Sequence, residues 1–160
     1  MTEPIIDSRA GFSTALTWGF QQALALGARR VLCADEDFAE WPWDAPETLD
    51  ALSAWLRLPQ RRLDLLARHY EQLPRRSPRF TAWRRDWSHA LQAWQVPEDW
   101  MASLPTVWVA DRTVSVHLID AVHWRGRARL DERAAAQWRE NLDAVLQRSE
   151  AAWSVRTLGL

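Results

Sequence analysis

The sequence contains no lysine; all 20 of its basic side chains are arginine. That absence excludes a Schiff-base lysine, a phosphate-loop lysine and a lysine general acid from any chemistry the chain performs. Cys33 is the only cysteine. No intrachain disulfide can form, and a reducing, cytoplasmic compartment is the expectation. Neither sign of charge prevails: 20 basic against 21 acidic side chains give a formal net charge of -1. Such a balance exerts no global attraction on nucleic acid or on an anionic membrane. No apolar run approaches the roughly 20 residues of a membrane span. The first nine residues carry Glu3 and Asp7 and lack the apolar stretch of a signal peptide. No repeat, low-complexity tract or linker divides the 160 residues, which are expected to form one domain.

What is present in excess is tryptophan, 12 residues in a chain that is 48% hydrophobic. Each indole buries a large area, so most are expected to pack the core, with an aromatic recognition surface as the alternative.

Helical and strand signals alternate along the chain. Phe12, Leu16, Phe20 and Ala23 recur at helical spacing, with Gly27 as the stop. Val31 to Ala34 is a short apolar run, the mark of a strand covered on both faces. Asp44, Pro46 and Glu47 read as the cap and first turn of a helix whose stripe is Leu49, Leu52, Trp55 and Leu56. Further strands are expected over 63–67 and 91–96, with a helix opening at Ser77-Pro78 between them. Thr106–Ala110 and Val114–Ile119 alternate around residues 111–113 as a hairpin, and a short strand follows near 124–128. The last helix starts near Asp131, with Ala135, Trp138, Leu142, Val145 and Trp153 as its stripe. This order predicts an α/β domain: one mixed, mostly parallel sheet with helices on both faces.

Charge is locally uneven. Seven acids and no base lie between Asp35 and Asp50. Nine arginines stand against two acids between Arg57 and Arg85. The second stretch reads either as a phosphate or nucleic-acid patch, aided by the aromatics of 80–87, or as a solvated face partly neutralised by the acidic stretch. The balance of the whole chain favours the second, and nucleic acid is not an expected partner.

Catalytic and metal motifs are incomplete. Asp35-Glu36-Asp37 follows a buried strand, as the Asp-x-Asp pair does in haloacid dehalogenase-like phosphatases. Phe38 and the lack of lysine depart from that pattern, which leaves loop capping and an arginine partner as the expectation. His117 and His123 lack further ligands for zinc. No Gly-x-Ser-x-Gly elbow is present, and Cys33 reads as a small apolar strand residue. Neither metal nor cofactor is expected.

Three segments, Asp35-Glu36-Asp37-Phe38 with Trp41-Pro42, His123-Trp124-Arg125-Gly126-Arg127, and Thr157-Leu158-Gly159-Leu160, resemble a family of uncharacterised bacterial domains with a phospholipase D-like fold. The order of elements is similar to one half of a phospholipase D-type enzyme. That resemblance implies a His-x-Lys-x-x-x-x-Asp strand whose histidine attacks phosphorus and whose lysine holds phosphate oxygens. The best-placed window is Leu104 to Asp111: Leu104 stands for the histidine, Thr106 for the lysine, and only Asp111 matches. The motif is degenerate.

Two functions follow. The first is a non-catalytic phospholipase D-like module that binds a small-molecule ligand or protein partner. The second is an enzyme with altered phosphoryl chemistry at the same cleft. In open α/β sheets such clefts form beyond the carboxyl ends of parallel strands. The residues expected there are Asp35, Asp37, Trp41, His69, Asp111, His123, Trp124 and Arg125. Trp41 and Trp43 either wall this cleft or pack their loop on the sheet, and Arg125 either meets a ligand or pairs with Asp35 or Asp37. The resemblance also implies a homodimer, since a half-size chain leaves one face open.

Overall fold

The computed structural model describes residues 2–100, 103–111 and 113–154. The closing segment 157–160, which supplied part of the resemblance, lies outside the described residues, as does position 112 of the hairpin turn.

After the short strand β1 (Ile5–Ile6) comes helix α1 (Arg9–Leu26). Ser8 caps it by accepting from the Gly11 N–H at 2.9 Å, and Gly27 ends it at φ 67°, a conformation that costs glycine little. Strand β2 (Arg30–Ala34) leads to α2 (Pro46–Leu56), and β3 (Arg62–Ala67) to α3 (Gln72–Arg76), α4 (Pro78–Trp83) and a 3₁₀ helix (Arg84–Trp87). Strand β4 (Leu91–Gln95) precedes the meander β5 (Thr106–Ala110), β6 (Val114–Asp120) and β7 (Arg125–Leu130). Helix α5 (Glu132–Gln147) and strand β8 (Glu150–Ala152) follow.

The eight strands of the described residues form one sheet in the order β1-β7-β6-β5-β2-β3-β4-β8. Strands β2, β3 and β4 run parallel, and the other five pairings are antiparallel. The sheet is therefore mixed as expected, but the antiparallel pairs outnumber the parallel ones. The meander and two edge strands too short to register as periodic patterns account for the difference. Gly126 of β7 sits so close to β6 that a Cβ would fall 2.2 Å from the His117 carbonyl oxygen. Its place in the His-Trp-Arg-Gly-Arg segment is explained by strand pairing beside the irregular register between Leu118 and Asp120.

The alternation of β2 divides the core. Val31 and Cys33 join the layer under α1 and α2, while Leu32 and Ala34 join the layer under α5 with Leu142 and Val145. Trp43, Trp55 and Trp108 are fully buried, so several tryptophans serve packing as expected. Burial pushes the Cys33 thiol well above its ordinary value, with Asp64 adding to the shift, and it behaves as an apolar strand residue.

Two local assignments are corrected. The residue preceding α2 is Ala45, with no side-chain cap, and the Asp44 carboxylate instead accepts from the Phe80 and Arg79 N–H groups at 2.8 and 3.2 Å, capping the start of α4. A cap is set by whichever N–H groups the fold brings near, and these lie 35 and 36 residues away. Trp153 does not extend the α5 stripe. The chain leaves the helix near Arg148, pairs β8 with β4, and stacks Trp153 on Tyr70 at 5.7 Å.

Candidate functional site

The carboxyl ends of β2, β3 and β4 lie side by side, because all three run in the same direction. Helices α2 and α3 start beyond the ends of β2 and β3, so chain reversals gather polar groups here.

Asp35 follows directly on β2. Its Oδ1 accepts from the Thr106 hydroxyl at 2.6 Å and its Oδ2 from the Phe38 N–H at 2.8 Å. Burial pushes its carboxyl above the ordinary value, and the Asp37 charge adds to this, while the Thr106 hydroxyl and the Phe38 N–H oppose it. Asp37 turns back on the Ala39 N–H at 3.0 Å. Glu36 Oε1 accepts from Arg68 Nη1 at 2.9 Å and from the Leu104 N–H at 2.8 Å. The Arg68 and His69 N–H groups both donate to the Glu36 carbonyl, which ties the loop after β2 to the end of β3. His69 is exposed, with Nε2 3.5 Å from Glu98 Oε1. The acidic segment thus caps its own loop and finds an arginine partner, and that partner is Arg68.

The motif window splits across the sheet. Leu104 and Thr106 sit at the strand-end site, through the Leu104 backbone and the Thr106 hydroxyl. Asp111 lies at the far end of β5, which runs antiparallel to β2. There it accepts from the Arg29 and Arg30 N–H groups, both at 2.9 Å, from a backbone at φ 45°. Five residue steps at about 3.3 Å each separate it from Thr106, so Asp111 serves the opposite edge and not this site.

Trp41 is a second correction. It is buried against Phe38 (4.9 Å), Trp43 (5.5 Å, stacked) and Phe12 (5.8 Å), and so packs its loop on the sheet and presents no wall to solvent. His123, Trp124 and Arg125 lie at the same end of the sheet as Asp35, but on the β6–β7 connection, with β5 and β6 between β2 and β7. His123 Nδ1 is 2.8 Å from Asp120 Oδ2, Trp124 packs on Phe12 at 5.9 Å, and Arg125 is exposed. The structure therefore brings Asp35, Asp37 and His69 together and leaves the His123–Arg125 group to the side. Arg68 belongs to the site, as its place directly after the second parallel strand leads one to expect, whereas Thr106, Glu36 and Glu98 were not singled out from sequence as its parts, although the spacing rule had already marked Thr106.

Among the described residues, no three histidine, cysteine or acidic side chains gather as metal ligands. No described helix is long and apolar enough to cross a membrane.

No protein-family model and no curated protein matches the sequence. Solved structures do. TrmBL2, an archaeal chromatin protein with a novel mode of DNA binding, superposes with a TM-score of 0.62 at 13% identity, over 92% of this chain and 54% of that one. This chain thus spans about half the length of TrmBL2. The phospholipase D family member Nuc from Salmonella typhimurium gives 0.54 at 11% identity, over 84% of this chain and 89% of that one. Phosphatidylserine synthase of Haemophilus influenzae Rd KW20 gives 0.52 at 10%, over 92% and 38%. At such identities the likeness is one of architecture, and it establishes that this chain has a mixed α/β, phospholipase D-like fold.

Proposed function

We propose that this chain is a phospholipase D-like module that binds a ligand or protein partner at the carboxyl ends of its parallel strands and performs no phosphodiester chemistry there. The observation that carries this reading is what occupies the motif positions. Leu104 offers a backbone N–H to Glu36 where a nucleophile would be needed, and Thr106 offers a hydroxyl to Asp35 where a cation would be needed. Phosphoryl transfer depends on cations placed where charge develops. Here the guanidinium of Arg68 is already engaged by Glu36, and the loops around it carry three further acids, Asp35, Asp37 and Glu98. That field disfavours phosphate and favours a cationic or hydrogen-bond-donating group.

A second reading, altered chemistry at this site, rests on Asp35 alone. A half-buried carboxyl raised by desolvation is suited to donate a proton. Hydrolysis of bis-(p-nitrophenyl) phosphate, with and without Mg²⁺ or Mn²⁺, separates the two. The expected result is no turnover above buffer. Turnover that Asp35→Asn abolishes would replace the first reading with the second.

A further inference from the structure

The nine arginines between Arg57 and Arg85 separate by what they touch. Arg62 meets Asp64, Arg68 meets Glu36, and Arg76 meets Glu40, while Arg61 and Arg84 donate to the Pro59 and Trp153 carbonyls. Arg57, Arg75, Arg79 and Arg85 are exposed and, among the described residues, have no side-chain partner. The segment from 72 to 97 carries one acid, Asp86.

Arg57, just after α2, and Arg85, on the 3₁₀ helix, lie at the same end of the sheet as an aromatic series that opens to solvent. Fully buried Phe80 stacks on Trp83 at 5.5 Å and 23°. Trp83 meets Trp87 at 5.8 Å and 32°, and Trp87 meets His89 at 6.0 Å and 31°. Exposure grows along the series, from buried Phe80 through half-buried Trp83 and Trp87 to exposed His89. Trp83 Nε1 donates to Ser53 Oγ at 2.9 Å, which fixes the stack to α2. Arg57 lies one helical turn beyond Ser53 on the same face, its N–H donating to the Ser53 carbonyl at 3.1 Å. Arg85 lies on the 3₁₀ helix between Trp83 and Trp87. This region adjoins the amino end of β3, whose Leu63 N–H bonds the Ala90 carbonyl, and so sits opposite the strand-end site.

An open-ended aromatic series, with exposed guanidinium groups at the same end of the sheet that have no partner among the described residues, matches what a single strand of nucleic acid presents, flat bases and a charged backbone. A duplex hides its base faces, and the acidic side chains of a peptide have no ring to stack. We propose that this end of the sheet binds single-stranded nucleic acid, with a base stacked at Trp87 and His89 and neighbouring phosphates held by Arg57 and Arg85.

Fluorescence anisotropy with a labelled oligothymidylate of about 12 nucleotides tests this, since such a length spans one aromatic platform. The intact chain should bind at about 50 mM salt, with affinity falling steeply as salt rises. The double variant Arg57→Ser/Arg85→Ser should weaken binding about tenfold or more and reduce the salt slope by roughly 1.4, two phosphate contacts of a single strand. His89→Ala should weaken binding about fivefold or more with the salt slope unchanged. Arg127→Ser, on an exposed strand position elsewhere, should change nothing. Far-UV circular dichroism of each variant should match the intact chain, because all these side chains are exposed. The proposal is overturned if the oligonucleotide does not bind, or if the double variant binds as the intact chain does. Equal competition by duplex, or by polyglutamate of matched charge, would also overturn it in favour of a surface that reads charge alone.

Discussion

At the carboxyl ends of β2, β3 and β4 the charged groups face one another, whereas at the amino ends several face solvent. Glu36 holds Arg68, Thr106 holds Asp35, and His69 faces Glu98. Across the sheet, Arg57 and Arg85 have no side-chain partner among the described residues, at the end where an aromatic series reaches solvent. The two regions share one sheet but put their charges to different use. Pairing leaves the first little attraction for phosphate; at the second, Arg30 and Arg62 pair with Asp64, and the exposed Arg57 and Arg85 remain to meet an anion. The acidic stretch meets part of the basic stretch after the carboxyl ends, through Glu36–Arg68 and Glu40–Arg76, while Arg57 and Arg85 lie toward the amino ends, and a net charge near zero conceals this division.

The aromatic cluster links these ends. Trp43 stacks on Trp41 at 5.5 Å on one side and on Phe80 at 4.5 Å on the other. Trp43→Ala should therefore give the largest effect, a loss of about 3–5 kcal/mol in urea unfolding. A loss under about 1 kcal/mol would show that the cluster does not tie the two regions together.

Removing one member of a charge pair sharpens the contrast. Glu36→Ala takes a carboxylate from buried Arg68 and an acceptor from the Leu104 N–H, and should cost about 2 kcal/mol. Arg85→Ala, at the unpaired end, should stay within about 0.5 kcal/mol of the intact chain. Equal losses would contradict the comparison. Asp111→Ala should cost about 1–2 kcal/mol, since it orphans the Arg29 and Arg30 N–H groups. It should leave any ligand of the strand-end site unaffected. Asp111→Asn should cost less, because asparagine tolerates φ 45° and keeps an acceptor.

The smallest effect is one of pH. The folded-state value of Asp35 is raised, so the native chain holds that proton more tightly than the unfolded chain. Its contribution is fully present below the ordinary value of 3.8 and is lost as pH rises through the folded-state value. Unfolding free energies of the intact chain and of Asp35→Asn, measured at intervals across that window, should diverge with the intact chain falling. Parallel curves would show that Asp35 is not raised.

Much of this architecture was legible because periodicity and burial go together. Val31–Ala34 had no polar face, and the strand is covered by α1 and α2 on one side and α5 on the other. Asp131 preceded a clear stripe and does cap α5, accepting from the Arg133 and Ala134 N–H groups. What escaped was set by distant partners. Asp44 fitted a local cap, but the fold delivers the start of α4 to its carboxylate. Trp153 fell on the helical period, but pairing of β8 with β4 took the chain out of the helix first. At the site, sequence marked Asp35, Asp37 and His69 by their place after strands. It could not mark Glu36 and Arg68 as a pair, because 32 residues separate them and only the parallel register of β2 and β3 joins them. Asp111 was misplaced because spacing along a strand carries no information about which edge of the sheet the residue reaches.

The central claim is that phosphate-bearing ligands find the amino ends of the parallel strands and are rejected at the carboxyl ends. Nuclear magnetic resonance of the ¹⁵N-labelled chain, followed through its backbone and indole N–H signals during titration with a short oligothymidylate, reads both ends at once. The account predicts shifts at Arg57, Trp83, Arg85, Trp87 and His89, with Asp35, Glu36, His69 and Thr106 unmoved. Shifts confined to those last four residues would contradict it.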